Sequence, residues 1–206
     1  MLDIIHAPNA VLSQSAKPVT VRYPAKQISK VDNNILKLLK EMGATLLSAK
    51  DPIGVGLAAP QVGCSLRIFI AKSTEKSKIQ VFINPKIIEK TEKEDLTNDS
   101  DRLKKLNKNK KKSRQTKLEG CLSLPDIWGE VKRNPVVTLS YQLTTNNHKL
   151  ITKTSTFSGF MATIIQHEID HLDGILFPKR VLDQKGTLYK SHKNEKNEDV
   201  FEEVDL

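Results

Sequence analysis

Two cysteines among 206 residues, Cys64 and Cys121, are too few for a disulfide framework, and a reducing compartment would leave both free. No stretch approaches the roughly 20 apolar residues that a membrane helix needs. The opening MLDIIHAPNAVLSQSAKPVT has neither an uninterrupted apolar core nor an Arg-rich amphipathic pattern, so no leader peptide is expected. Internal repeats are also lacking. These absences lead to the expectation of a soluble, cytoplasmic protein with no membrane partner. A length of 206 residues suits a single domain (1–206) with one hydrophobic core. With 38% hydrophobic and 28% charged residues the chain falls within the globular range, on its polar side.

Acidic residues are absent where basic ones crowd. Residues 102–117, RLKKLNKNKKKSRQTK, hold nine Lys or Arg and no acid. That one segment equals the formal net charge of +9, so the rest of the chain sums to zero. The basicity therefore belongs to a loop rather than to the fold, and DNA is not an expected partner.

Apolar residues from Ile28 to Leu46 recur in steps of three and four, one face of an amphipathic helix, which Asp51-Pro52 should end. In GVGLAAPQVG (54–63) the glycines and proline argue against regular structure. Leu66 to Ala71 and Ile79 to Asn84 read as strands, with Pro85 closing the second. From about 91 to 117 the chain is too polar to offset its ordering entropy, so a poorly ordered insertion is expected there. Val136 to Leu143 and Leu150 to Phe157 form a predicted hairpin around residues 144–147. The next helix should take Ser158 as N-cap and Gly174 as C-cap. A tail at about 186–206 offers Leu188 to Lys190 and Val200 to Val204 as short strands. The fold class expected is α+β, with mixed, mainly antiparallel strands partly surrounding a central helix.

That helix carries QHEIDH (166–171). His167 and His171 stand four apart, so their imidazoles share a face and can grip one ion. Glu168 lies about 100° further round, within reach of a water held there. Phe160, Met161, Ile164, Ile165, Ile169 and Leu172 would wall the stripe and raise the pKa of Glu168 toward that of a useful base. Alone, H-E-x-x-H is moderately specific, and two ordinary helical histidines are its plain alternative. A catalytic site usually has three protein ligands. Six residues past His171, where a third histidine would complete one known pattern, stands Phe177. The downstream Glu195 sits in a polar tail. Cys121 in EGCLSLP is the better candidate, with Gly120 letting the backbone approach closely. Two imidazoles and a thiolate suit Zn2+ or Fe2+.

With these residues assembled, the chain resembles the peptide deformylase family in three segments that stand in the family's order: GVGLAAPQ (54–61), EGCLS (119–123) and QHEIDH (166–171). The resemblance extends from the N-terminal helix to about Phe177, the basic insertion excepted. It implies an enzyme, a metal-dependent amidohydrolase that removes the formyl group from formyl-methionine at the start of new proteins. Cys121, His167 and His171 would be the metal ligands. Glu168 would take a proton from the metal-bound water and pass it to the departing amine. The Gln61 amide and the Leu122 N–H would join the metal in holding the oxyanion. Gly56 would leave room for the substrate backbone, while Phe160 and Ile164 would line the methionine pocket. The metal implied in cells is Fe2+, and the same ligands accommodate Zn2+, Ni2+ or Co2+.

Read from the residues alone, Gln61 can act only by hydrogen bonding, and its plainer role is to brace a turn. Glu119 and Arg133, the latter on an expected strand, should form a partly buried ion pair that braces EGCLS. Cys64 reads as a small buried hydrophobe, and His6, His148 and His192 as surface residues. Trp128 borders the groove or covers core. Two rivals remain: another zinc hydrolase with a different third ligand, and an RNA-binding module with a vestigial site. Some deformylases contact the ribosome through a basic C-terminal helix, but residues 190–206 here carry three Lys against six Asp or Glu. A ribosome contact would therefore use 102–117, where counterion release rewards clustered cations; the preferred reading of that segment is a solvated loop. Deleting 100–116 decides between them: salt-dependent ribosome affinity is lost if the segment is a handle and unchanged if it is a solvated loop.

Overall fold

The computed structural model describes residues 1–20, 32–50, 52–91, 118–145, 148–196 and 198–204. The expected insertion lies outside them except for Thr91, as do Ile28, Val31, Asp51 and the hairpin-turn residues 146 and 147. Helix α1 spans Asn33–Ser48. Asp32 starts it by accepting a hydrogen bond from the Asn34 N–H at 2.8 Å, an N-cap the apolar periodicity did not reveal. The helix ends earlier than Asp51-Pro52 because Ala49 is already extended.

Nine strands form two antiparallel sheets among the described residues. Strands β1 (Gly56–Ala58), β2 (Ile68–Ala71), β3 (Gln80–Thr91), β6 (Val136–Thr144) and β7 (Leu150–Ser158) lie in the order β1-β2-β3-β6-β7. Strands β4 (Leu118–Cys121), β5 (Leu124–Glu130), β8 (Leu188–Lys193) and β9 (Asp199–Glu203) follow the order β4-β5-β8-β9. Two expectations are corrected here. Segment 54–63 is regular: Gly56–Ala58 pairs with Phe69–Ala71, and Ala59–Val62 makes a 3-10 turn with Pro60 at its start, where its missing N–H costs nothing. Nor does Pro85 end its strand. The register shifts between Ile83 and Lys86, so Pro85 occupies a bulge and the ladder resumes to Thr91.

Helix α2 (Gly159–Leu172) packs on β1, β2, β6 and β7 and buries ten of its fourteen residues. Around its Ile165 gather Phe69, Phe82, Val137, Leu139 and Tyr141 in one buried cluster. Phe69 stacks on Phe82 with centroids 4.4 Å apart, and Phe157 meets Phe82 edge-on. A second cluster joins Met42 and Leu46 of α1 to Leu57, Ile68, Ile70 and Ile83. The short helix α3 (Phe177–Asp183) packs on β4 and β5, where Phe177 and Val181 contact Leu188. The residue that could not be a ligand is thus core.

Ser158 holds the N-cap position of α2 without a side-chain cap bond, and Asp173, not Gly174, is its C-cap. Gly174 follows in the left-handed region at φ +72, its N–H donating to the His171 carbonyl while that of Ile175 donates to Asp170. This pair of bonds is a Schellman closure, which favours glycine. A Cβ on Gly174 would also lie 2.8 Å from the backbone of Ser13 and Gln14. No helix among the described residues is long and apolar enough to cross a membrane. Strain and crowding at Gly174 act together, so Gly174→Ala should destabilise by more than about 1 kcal/mol, lowering Tm by several degrees. An unchanged melting midpoint would contradict this account of the helix end.

Candidate metal centre and active-site cavity

A mostly buried helix must find partners for its polar groups, because an unpaired one costs about 1–3 kcal/mol. Helix α2 buries Gln166, Glu168, Asp170 and His171. Gln166 donates to the Ala162 and Asn134 carbonyls and accepts from the Asn134 N–H. Asp170 accepts from Arg133 at 2.6 Å and from Arg180 at 2.6 and 3.1 Å. Two buried side-chain atoms lack a partner among the described residues, Glu168 Oε2 and His171 Nδ1. Both lie where chemistry was expected.

Across from the helix, β4 brings in Cys121. The β4–β5 register shifts between Gly120 and Cys121, and Cys121 Sγ lies 3.2 Å from His171 Nε2. The rings of His167 and His171 are 4.9 Å apart and nearly perpendicular. One donor atom from each of Cys121, His167 and His171 lies within 4.8 Å of the others, so the three could hold a metal ion. Burial opposes ionisation of the Cys121 thiol, yet His171 and His167 hold its pKa well below the usual range. Burial likewise opposes charging of His167, but hydrogen bonds with Cys121 and Glu119 raise its pKa well above normal. A deprotonated thiol beside protonated imidazole is a cluster in which a divalent cation can take the place of protons. The donor set and its charge fit a metal.

Glu119, 8% exposed, orients His167. Its Oε2 lies 3.1 Å from His167 Nδ1, which leaves Nε2 as the available ring nitrogen. The other side of the carboxylate takes a bidentate pair from Arg133, at 2.8 and 2.9 Å. Although burial resists its ionisation, hydrogen bonds from Arg133 and His167 bring Glu119 down to about 2. The expected pair is therefore present, but Arg133 lies in the loop of residues 131–135 rather than on a strand, and it continues to Asp170 and Arg180. Those last two were missed, although a charged Asp170 on an otherwise apolar face already required a cation.

Glu168 is 3% exposed, and burial raises its pKa to about 7 against the pull of His167 and His171. A Cβ on Gly56 would run directly into the Glu168 carboxylate. Gly56 thus makes room for Glu168, a nearer reason for glycine than a passing substrate backbone. Gln61 braces its turn, as its plainer role required, and turns its amide toward the cysteine. Its Oε1 accepts from the Ala58 N–H at 2.8 Å, bracing the turn, while Nε2 donates to Ser123 Oγ at 3.2 Å and Cys121 Sγ at 3.5 Å. Ser123, the last residue of EGCLS, is a further polar neighbour that was not singled out among the site residues.

A cavity of about 380 Å3 opens over this cluster. Gly56, Gln61, Leu122, Phe160, Ile164 and Glu168 all line it, so the residues expected around the substrate are brought together. Ile164 is buried, and Phe160 is exposed at the mouth. Trp128 also borders the cavity. Its ring lies on Gly120, where a Cβ would stand 2.8 Å from it, so this glycine admits the indole rather than a backbone. His6, His148 and His192 are exposed and outside the cluster. Cys64 is half-buried against the second core cluster rather than fully buried, and burial raises its pKa.

Comparison with known proteins agrees with this geometry. The family model described as polypeptide deformylase matches residues 1–186. A peptide deformylase of Desulforudis audaxviator is 34% identical over 191 residues, 92% of this chain and 97% of that one. Peptide deformylase 1 of Bacillus cereus is 35% identical over 181 residues, covering 88% and 92% of the two chains. Among solved structures, the peptide deformylase of Thermotoga maritima superposes with a TM-score of 0.63 at 31% identity, over 87% of this chain and 97% of its own. That of Synechococcus elongatus, in complex with actinonin, gives 0.63 at 30% identity over 87% and 78%. Family match, relatives and fold agree: the chain belongs to the peptide deformylase family of metal-dependent hydrolases.

Proposed function

We propose that this chain hydrolyses the N-formyl group of formyl-methionine on newly made proteins, giving formate and a free amine. The observation that carries the reading is the buried carboxylate of Glu168, its Oε2 without a partner among the described residues, beside a Cys/His/His cluster whose Cys121 and His167 line a cavity. Cys121, His167 and His171 would hold one divalent ion, Fe2+ in cells, with Zn2+, Ni2+ or Co2+ also accommodated by these donors. When bound, the ion supplies Lewis acidity and lowers the pKa of water toward neutrality.

The remaining steps belong to the chain's own groups. Glu168 accepts a proton from the attacking water and returns it to the amine nitrogen as the C–N bond breaks. Gln61 Nε2 and the Leu122 N–H donate to the oxygen on which charge develops, each such donor being worth about 2.7–4 kcal/mol of barrier. The Gln61 amide is pre-set for this because Ala58 fixes its other end. Ile164 and Phe160 would receive the methionine side chain. Strands β1 and β4 each stand at the edge of a sheet and contribute Gly56 and Leu118 to the cavity. An extended peptide has backbone partners available there. We also assign the enzyme to the cytoplasm, with 102–117 as the segment that would reach ribosomal RNA if a contact exists.

Glu168→Gln keeps the shape of the side chain and removes the base. Metal content should persist while formate release from a formyl-Met peptide falls by about 10²–10⁴-fold. The base works only when ionised, so activity must fall as pH drops through the Glu168 pKa. That value stands at about 7 without an ion, and a nearby cation can only lower it. The acid limb of kcat/KM therefore lies at or below about 7 and disappears in the variant. Near-native turnover by Glu168→Gln would remove this assignment.

A further inference from the structure

Arg133 stands between two cavities of different character. One opens over the metal-ligand cluster; the other, of about 410 Å3, is bordered by β3, the loop of residues 131–135, α2 and α3. Among the described residues only Arg133 lines both. The second cavity has the volume of a small-molecule site, and no step of the hydrolysis uses it.

Its lining is strongly basic. Arg67, Lys86, Lys90, Lys132, Arg133 and Arg180 stand there against two acids, Asp170 and Asp173, so cations are four in excess. The arginines are already engaged: Arg67 with Asp173 at 2.7 Å, Arg133 with Glu119 and Asp170, and Arg180 with Asp170. The three lysines are exposed, and among the described residues none of their ammonium groups has a hydrogen-bond or ion-pair partner. A cleft lined by one sign of charge concentrates the opposite ion.

The backbone holds this arrangement in place. Register shifts between Ile83 and Lys86 and between Ile87 and Glu89 interrupt the alternation of β3, and Lys86, Ile87 and Lys90 all line the cavity. Across from them, the Lys132 N–H donates to Gln184 Oε1 at 2.7 Å, and Gln184 Nε2 donates to the Lys132 carbonyl at 3.2 Å. Gln166 clamps Asn134 in the same way.

The available charges select the ligand. A carboxylate is matched best by the fork of an arginine, and those forks already hold carboxylates of the chain. Lysine ammonium groups are point charges that suit phosphate, and three of them call for more than one phosphate group. The lining has no aromatic side chain on which a base could stack, which disfavours a nucleotide or single-stranded nucleic acid.

We propose that this cavity binds a small anion carrying two or more phosphate groups, held by Lys86, Lys90 and Lys132 on the opposite side of Arg133 from the active-site cavity.

Calorimetric titration of the metal-loaded full chain with fructose bisphosphate, and with inorganic phosphate at the same ionic strength, tests the site. Fructose bisphosphate should bind with one equivalent, more tightly than inorganic phosphate, and more weakly as salt is added. Lys86→Ala, Lys90→Ala and Lys132→Ala should each weaken binding by about two- to fivefold, the range of an exposed ion pair, and together by about tenfold or more. Arginine at the same three positions keeps the charge and should retain binding. Deleting 100–116 should leave the affinity unchanged. No binding at millimolar fructose bisphosphate, affinity that survives the triple alanine variant, or affinity lost with residues 100–116 overturns the proposal. So does binding of a single-stranded RNA oligonucleotide in place of the bisphosphate, which would make this face a nucleic-acid surface.

Discussion

A row of charges, buried except at its Arg180 end, runs from Arg180 through Asp170, Arg133 and Glu119 to His167, and the rest of the site depends on it. Its members come from α3, α2, the loop after β5, β4 and α2 again. Both carboxylates are doubly engaged by guanidinium groups, the geometry in which a buried pair can recover the cost of desolvation. Removing one member would leave a charge uncompensated inside the protein, which typically costs about 3–5 kcal/mol. The row thereby fixes where β4 lies against α2, and with it the position of Cys121 relative to the two histidines. It also fixes the tautomer of His167, since Nδ1 is committed to Glu119.

Beside that row, two buried side-chain atoms of α2 are left without partners among the described residues. Gln166 and Asp170 are saturated, whereas Glu168 Oε2 and His171 Nδ1 are not. A small apolar frame keeps water from stabilising the Glu168 carboxylate, which is why its pKa rises while that of Glu119 falls, though both are buried glutamates. The difference is guanidinium and imidazole partners for one and desolvation for the other. Gly56 keeps that frame tight, since any side chain there would displace the carboxylate.

What could be read from the sequence was whatever has a short period or a local rule. The histidines at four-residue spacing, the glutamate between them, the hairpin of β6 and β7 and the pairing of Glu119 with Arg133 all follow from such rules. Cys121 could be reached because Phe177 could not serve. Long-range choices were not legible. Gly56 is small because of a residue on a distant helix, and Gly120 because an indole lies on it. Pro85 sits inside a strand because a bulge removes the need for its N–H, and β1 forms because β2 offers an edge. Asp170 and Arg180 lay in plain view, but only the fold makes them a pair with Arg133.

The account stands on one sulfur and two imidazole nitrogens meeting at one ion. X-ray absorption on the protein loaded with a single equivalent of Zn2+ tests this directly. We expect one sulfur donor at about 2.3 Å and two nitrogens at about 2.0–2.1 Å, with the sulfur lost in Cys121→Ala. A shell made only of nitrogen and oxygen donors in the unmodified protein would contradict it.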